Sequence, residues 1–175
     1  SPTMPENFPF KVDYGYHFDA ALLGQFLRKK AIERGVVHRV CHIEQVQQDA
    51  EGNIAGLVTD AGETHTADLY VDCTGFAGLL LQKTLQTPFL SYSNTLLNDA
   101  AVAMPSEIGE KIPSETVSTA MNHGWAWKIP LTNRYGNGYV YSSSFCSSDE
   151  AEHELRDRLG LLDADVPVRH LKMKV

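Results

Sequence analysis

The sequence is short of several things that would assign it a function at once. Nowhere does it carry the ~18 consecutive apolar residues of a membrane-spanning helix. It has no surplus of positive charge: 15 Lys and Arg stand against 22 Asp and Glu, a net charge of −7. That balance argues against nucleic acid or an anionic membrane as partner. Cysteine is scarce, with Cys41, Cys73 and Cys146 forming no C-x-x-C pair and odd in number. A disulfide framework is therefore not expected, and reduced thiols in a cytoplasm fit better. No G-x-S-x-G elbow is present, although "YSSSFCSS" at 141–148 is serine-rich, so a serine nucleophile has no support. No G-x-G-x-x-G dinucleotide fingerprint occurs; "GNG" at 136–138 reads as a hairpin turn. His38 and His42 are four apart but lack a third ligand nearby, so a metal site is not expected. Paired carboxylates at a revealing spacing are also missing.

What remains is an ordinary globular composition of 43% hydrophobic and 21% charged residues, sized for one domain. Ser1–Phe10 is polar, carries three prolines and does not have the pattern of a signal peptide. The chain opens on Ser1 rather than Met and ends on "HLKMKV", which reads as the opening of a strand. Both ends read as interior to a longer sequence.

Helical spacing of Leu22, Leu23, Phe26, Leu27 and Ala31 predicts a helix over 19–34, with Asp19 as N-cap and Gly35 beyond its end. "YHFD" at 16–19 reads as a hydrophobic staple and cap leading into it, or else as a source of an aromatic and a His for a site. A β meander follows: 36–40, 43–49, 54–60 and 64–73, with turns at 51–53 and 61–63. Its last piece, "DLYVDC", is more continuously apolar than the strands before it, as in a strand buried on both faces. A short helix is expected over 76–85, an extended segment over 89–104, and a proline-containing loop to 115. Two antiparallel strands, 116–130 and 139–145, are expected next, joined through "LTNRYGNG". A helix over 148–159 completes the reading, acidic early and with Arg156 and Arg158 late. The order suggests α/β passing into α+β.

Two motifs carry possible chemistry. "VDCTGF" at 71–76 is a strand end with a small-residue turn, where open α/β sheets place nucleotides, or else an ordinary strand-to-helix turn. "GWAWKIP" at 124–130 puts Trp125 and Trp127 on one strand face and Lys128 on the other. The two indoles are then either a core face or a flat wall beside a planar ligand. Cys73 and Cys146 read as small buried hydrophobes, and Asp72 as a hydrogen-bonding residue at a strand end.

The segments "YHFDAALLGQFLRKKAIERGV", "ADLYVDCTGF", "LLNDAAVA", "AMNHGWAWKIPL" and "GYVYSSSF" stand in the order found in flavin-dependent tryptophan halogenases. From about Tyr14 to Val175 the chain resembles this family, and W-x-W-x-I-P is matched in full by Trp125, Trp127, Ile129 and Pro130. The resemblance implies the central portion of an FAD-dependent monooxygenase-type fold with two dinucleotide-binding motifs, lacking the N-terminal Rossmann βαβ unit. Residues 1–86 would be part of the FAD-binding domain. Residues 87–175 would be part of the substrate-side β-sheet region with a C-terminal helix.

By the same resemblance the complete enzyme takes FADH2 from a separate flavin reductase. It uses O2 and chloride or bromide to halogenate an aromatic substrate, tryptophan or another indole, and its full-length form is expected to be a homodimer. Trp125 and Trp127 match the barrier on the flavin side; Ile43, Thr74, Gly75, Ile129 and Pro130 match cofactor-binding positions. The family's catalytic lysine and essential glutamate have no match here: Lys83, Lys111 and Lys128 stand in other contexts. The isolated chain is therefore expected to be inactive. The alternatives are an FAD-dependent aromatic hydroxylase of the same fold, which an intact tryptophan pair disfavours, and a non-enzymatic α+β binding module.

Overall fold

The computed structural model describes residues 14–175. The proline-containing N-terminal stretch discussed above lies outside the described residues.

Helix α1 spans Ala20–Glu33. The Asp19 carboxylate accepts hydrogen bonds from the Ala21 and Leu22 N–H groups at 2.9 and 3.2 Å, which satisfies donors that have no intrahelical acceptor. Gly35 ends the helix at φ +89°, a conformation that favours glycine. No α1 residue is buried; Leu22, Phe26 and Leu27 all stand exposed.

A three-stranded antiparallel sheet follows, β1 (Ile43–Gln48), β2 (Ile54–Thr59) and β3 (Thr64–His65), in that order. Asp49 braces the β1–β2 turn by accepting from the Glu51 and Asn53 N–H groups. The expected strand over 36–40 is coil, and the expected strand over 64–73 shrinks to β3. Residues 68–73 form no ladder with any described strand, and Leu69 and Val71 are exposed. An apolar run becomes a strand only where neighbours take its hydrogen bonds, and here none does. Cys73 is consequently exposed, against expectation, while Cys146 is buried and its thiol pKa raised by that burial; all three cysteines are free.

The larger sheet has five antiparallel strands in the order β5-β6-β7-β4-β8: β4 (Ala100–Ser106), β5 (Val117–Met121), β6 (Gly124–Pro130), β7 (Tyr135–Tyr141) and β8 (Arg169–Lys172). Helix α2 (Ser148–Leu159) lies across one face. It begins in a capping box in which Ser147 and Glu150 satisfy each other's backbone N–H groups. Val102 and Met104 of β4, Ala126 of β6 and Tyr139 and Tyr141 of β7 meet Ala151 and Leu155 of α2, forming the core. The Tyr139 hydroxyl accepts from the His123 N–H at 2.9 Å, and burial pushes its pKa up to about 12. Leu155 is 1% exposed. Leu155→Ala is expected to cost about 2–5 kcal/mol in a urea titration, because α2 has no other fully buried large side chain.

Strand boundaries differ from expectation in three places. The segment 116–130 is a hairpin that turns at Asn122–His123. β7 begins at Tyr135, so Gly136–Gly138 lie inside a strand and not in a turn. β4 begins only at Ala100 and runs through Pro105. Pro105 lies past the last β4 residue that β8 pairs, Ala103, so β4 has a neighbour on one side only there.

No helix among the described residues is long and apolar enough to cross a membrane. Nor do three His, Cys, Asp or Glu side chains gather among them as a metal site.

Candidate functional site

Alternation along β6 decides what the tryptophan pair does. Ala126, between them, is buried in the core beneath α2. Trp125 and Trp127 therefore project from the opposite face, away from α2. Trp125 is 42% exposed and Trp127 half-buried. The ring centroids are 6.0 Å apart and the planes are tilted by 56°, so the wall is bent rather than flat. Within this chain the pair is not the core face of the sheet.

The register gives the wall its surroundings. Trp125 lies opposite Ala120 of β5 and Val140 of β7; Trp127 lies opposite Ser118 and Gly138. Beyond Val140 and Gly138, β4 contributes Ala101 and Ala103. The neighbours on this face are thus mostly small, which leaves the indoles standing above them. An open cavity beside Trp125 is bounded by Leu96, Leu97, Val140 and Val175. A second, beside Trp127, is bounded by Pro105, Arg134, Pro167 and Arg169. Ile129 shares the tryptophan face by the same alternation, whereas Pro130 falls on the other side and is buried. Lys128 also points the other way, and its Nζ sits 4.0 Å from the centre of the Tyr135 ring.

Arg134, in the loop after Pro130, bridges to Asp19 at 3.0 Å. The residue that caps α1 thereby ties that helix to the end of the tryptophan strand. A single sequence gives no signal for a pair 115 positions apart.

Thr74 and Gly75 form a separate cluster. Gly75–Ala77 is a 3-10 turn and Leu79–Thr84 a π-helical turn, in place of the single expected helix. Gly75 has φ +61°. Asp72 locks the cluster: its carboxylate accepts from the Thr74 hydroxyl at 2.6 Å, the Thr74 N–H at 3.1 Å, and the Leu80 and Leu81 N–H groups at 2.9 and 3.0 Å. The Thr74 hydroxyl, then the backbone donors, hold the Asp72 pKa down to about 2 from 3.8. The folded value lies below the unfolded one. Its stabilising contribution is present above the ordinary 3.8 and is lost as pH falls through about 2. Amide exchange at Leu80 and Leu81 is therefore expected to accelerate over that window, and Asp72→Asn to show the fast exchange already at neutral pH.

Ile43 begins β1, half-buried and opposite Thr59. The cavities that Trp125 and Trp127 line contain neither Ile43 nor Thr74 nor Gly75. The candidate residues thus fall into three groups: the tryptophan face with Ile129, the braced turn, and the small sheet.

The family model for tryptophan halogenase matches residues 2–175. A 7-chloro-L-tryptophan 6-halogenase of Kutzneria sp. (strain 744) is 48% identical over 93% of this chain and 32% of its own length. A tryptophan 7-halogenase of Lentzea aerocolonigenes is 43% identical with the same coverage. The crystal structure of a tryptophan 6-halogenase from Streptomyces toxytricini superimposes with a TM-score of 0.87 at 44% identity, covering 91% of this chain and 32% of that one. The chain spans about a third of the length of the curated relatives it matches. Matched by that family model along nearly its whole length, and sharing both sequence and fold with these enzymes, the chain belongs to the tryptophan halogenase family.

Proposed function

We propose that this chain forms the flavin-facing barrier of an FAD-dependent halogenase that acts on tryptophan or another indole with chloride or bromide. The observation that carries the reading is the placement of Trp125 and Trp127 on the sheet face that α2 leaves open. Two indoles committed to this chain's own core would lie on the Ala126 side.

The residues fit FAD in a particular way. The tryptophan face offers exposed aromatic surface over a mostly small-residue floor, which suits a flat ring system. At the Thr74–Gly75 turn the Leu80 and Leu81 N–H groups already hold the Asp72 carboxylate, so a phosphate there would have to displace a bound anion. The turn therefore suits a neutral hydroxyl of the cofactor better than its pyrophosphate. When bound and reduced by a separate reductase, FAD would supply the two electrons that activate O2, and O2 would be the oxidant that converts halide into an electrophilic halogen.

The chain's own residues do the excluding. The apolar indole bodies of Trp125 and Trp127, extended by Ile129, keep water and the organic substrate from the flavin side. Asp72 keeps the Thr74–Gly75 turn in one shape, and the Asp19–Arg134 bridge holds the end of the tryptophan strand. The lysine and glutamate that the family uses for the halogen-transfer step have no match in this chain, and we assign them to the rest of the complete protein.

Incubation with a flavin reductase, FAD, NADH, O2, chloride and tryptophan, followed by HPLC–MS, tests the reading. The complete protein is expected to yield chlorinated indole and the isolated 175-residue chain none above a no-protein blank. A hydroxylated product in place of the chlorinated one contradicts it.

A further inference from the structure

We infer that Gly138 is a positioning residue that seats the Trp127 indole and so sets the shape of the wall. Gly138 lies directly opposite Trp127 in the β6–β7 ladder. A Cβ built on Gly138 would fall 2.0, 2.1 and 2.6 Å from Cζ2, Cη2 and Cε2 of that indole. Three ring atoms at such distances mean that the six-membered ring lies over the Gly138 Cα. The backbone itself does not demand glycine there, because Gly138 has no positive φ. Only the ring demands it.

Gly136 gives the contrast. It sits on the same strand and the same face, opposite Ile129, and a Cβ there would meet nothing nearer than 3.5 Å. On the far side of Gly138 stands Ala103, also small, so nothing on β4 lifts the ring. The seat is therefore specific to one position. Displacing Trp127 from it changes the 6.0 Å, 56° relation to Trp125, and with it the gap between the two rings. The catalytic consequence rests on the barrier reading above; the seat itself does not.

Trp125 and Trp127 are the only two tryptophans in the chain. Two indoles this close and this tilted couple their transitions and give a far-ultraviolet circular dichroism couplet, which Trp125→Phe should abolish. Gly136→Ala is expected to keep the couplet and Gly138→Ala to lose most of it. Because Gly138→Ala also strains the sheet, Trp127→Leu/Gly138→Ala is the second variant. With the ring gone, the added methyl has room, and the double variant should unfold in urea at the midpoint of Trp127→Leu alone. A couplet unchanged in Gly138→Ala, or a double variant markedly less stable than Trp127→Leu, overturns the seat.

In the complete protein, chlorinated product per O2 consumed should fall severalfold in Gly138→Ala and not in Gly136→Ala. A lost couplet with product per O2 unchanged leaves the seat standing and overturns the barrier reading instead.

Discussion

Gly124→Ala is expected to leave the chain without a cooperative unfolding transition. A Cβ at Gly124 would fall 1.9 Å from the Val140 carbonyl oxygen and 2.9 Å from the Tyr141 Cα. Those are backbone atoms of the neighbouring central strand, so no side chain can rotate out of the way. The Gly124 φ is ordinary, and the cost comes from contact alone. Relief requires β6 to move off β7 at the corner where the His123 N–H meets the Tyr139 hydroxyl and the Asn122 N–H meets Glu154 of α2. A loss of about 4 kcal/mol or more lies at the extreme of single-substitution effects, and domains of this kind hold only about 5–15 kcal/mol in total. Urea titration followed by circular dichroism checks it. Gly109→Ala, with open space at its Cβ, should stay within about 0.5 kcal/mol of the parent.

The second large effect concerns chemistry. Replacing both Trp125 and Trp127 with alanine in the complete protein is expected to lower chlorinated product by about tenfold or more, some 1.4 kcal/mol in apparent barrier. Flavin oxidation should continue, because Asp72, Thr74 and Gly75 are untouched. Hydroxylated indole is expected to appear, since the organic substrate can then reach the flavin side. The fold should persist, because neither ring is part of the α2 core. LC–MS of both products against O2 consumption reads the outcome. A chlorinated yield equal to the parent enzyme's contradicts the barrier.

Much of this was legible where a local rule and a tertiary role coincide. Asp19 is a cap by residue type and is a cap in the structure. The helix over 148–159 follows from its charge order and matches α2 end to end. The same-face geometry of Trp125 and Trp127 follows from strand period alone. Which face they occupy did not follow, because it depends on where α2 docks. The Gly136–Gly138 stretch misleads for a similar reason. G-N-G is a turn signal locally, yet Gly138 is small because an indole lies on it. The apolar Leu69, Tyr70 and Val71 within 68–73 say only that the segment is suited to burial, and burial needs partner strands that no described element provides. The Asp72 lock was half visible: a hydrogen-bonding carboxylate at a strand end is local, but its reach to Leu80 and Leu81 needs the 3-10 and π turns between.

The account turns on what the two indoles face. A crystal structure of the complete protein with oxidised FAD and tryptophan bound measures that directly. It is predicted to show Trp125 and Trp127 standing between the isoalloxazine and the aromatic substrate, with the Trp127 ring lying over Gly138. Indoles packed under side chains from elsewhere in the protein, with the isoalloxazine on another surface, would contradict it.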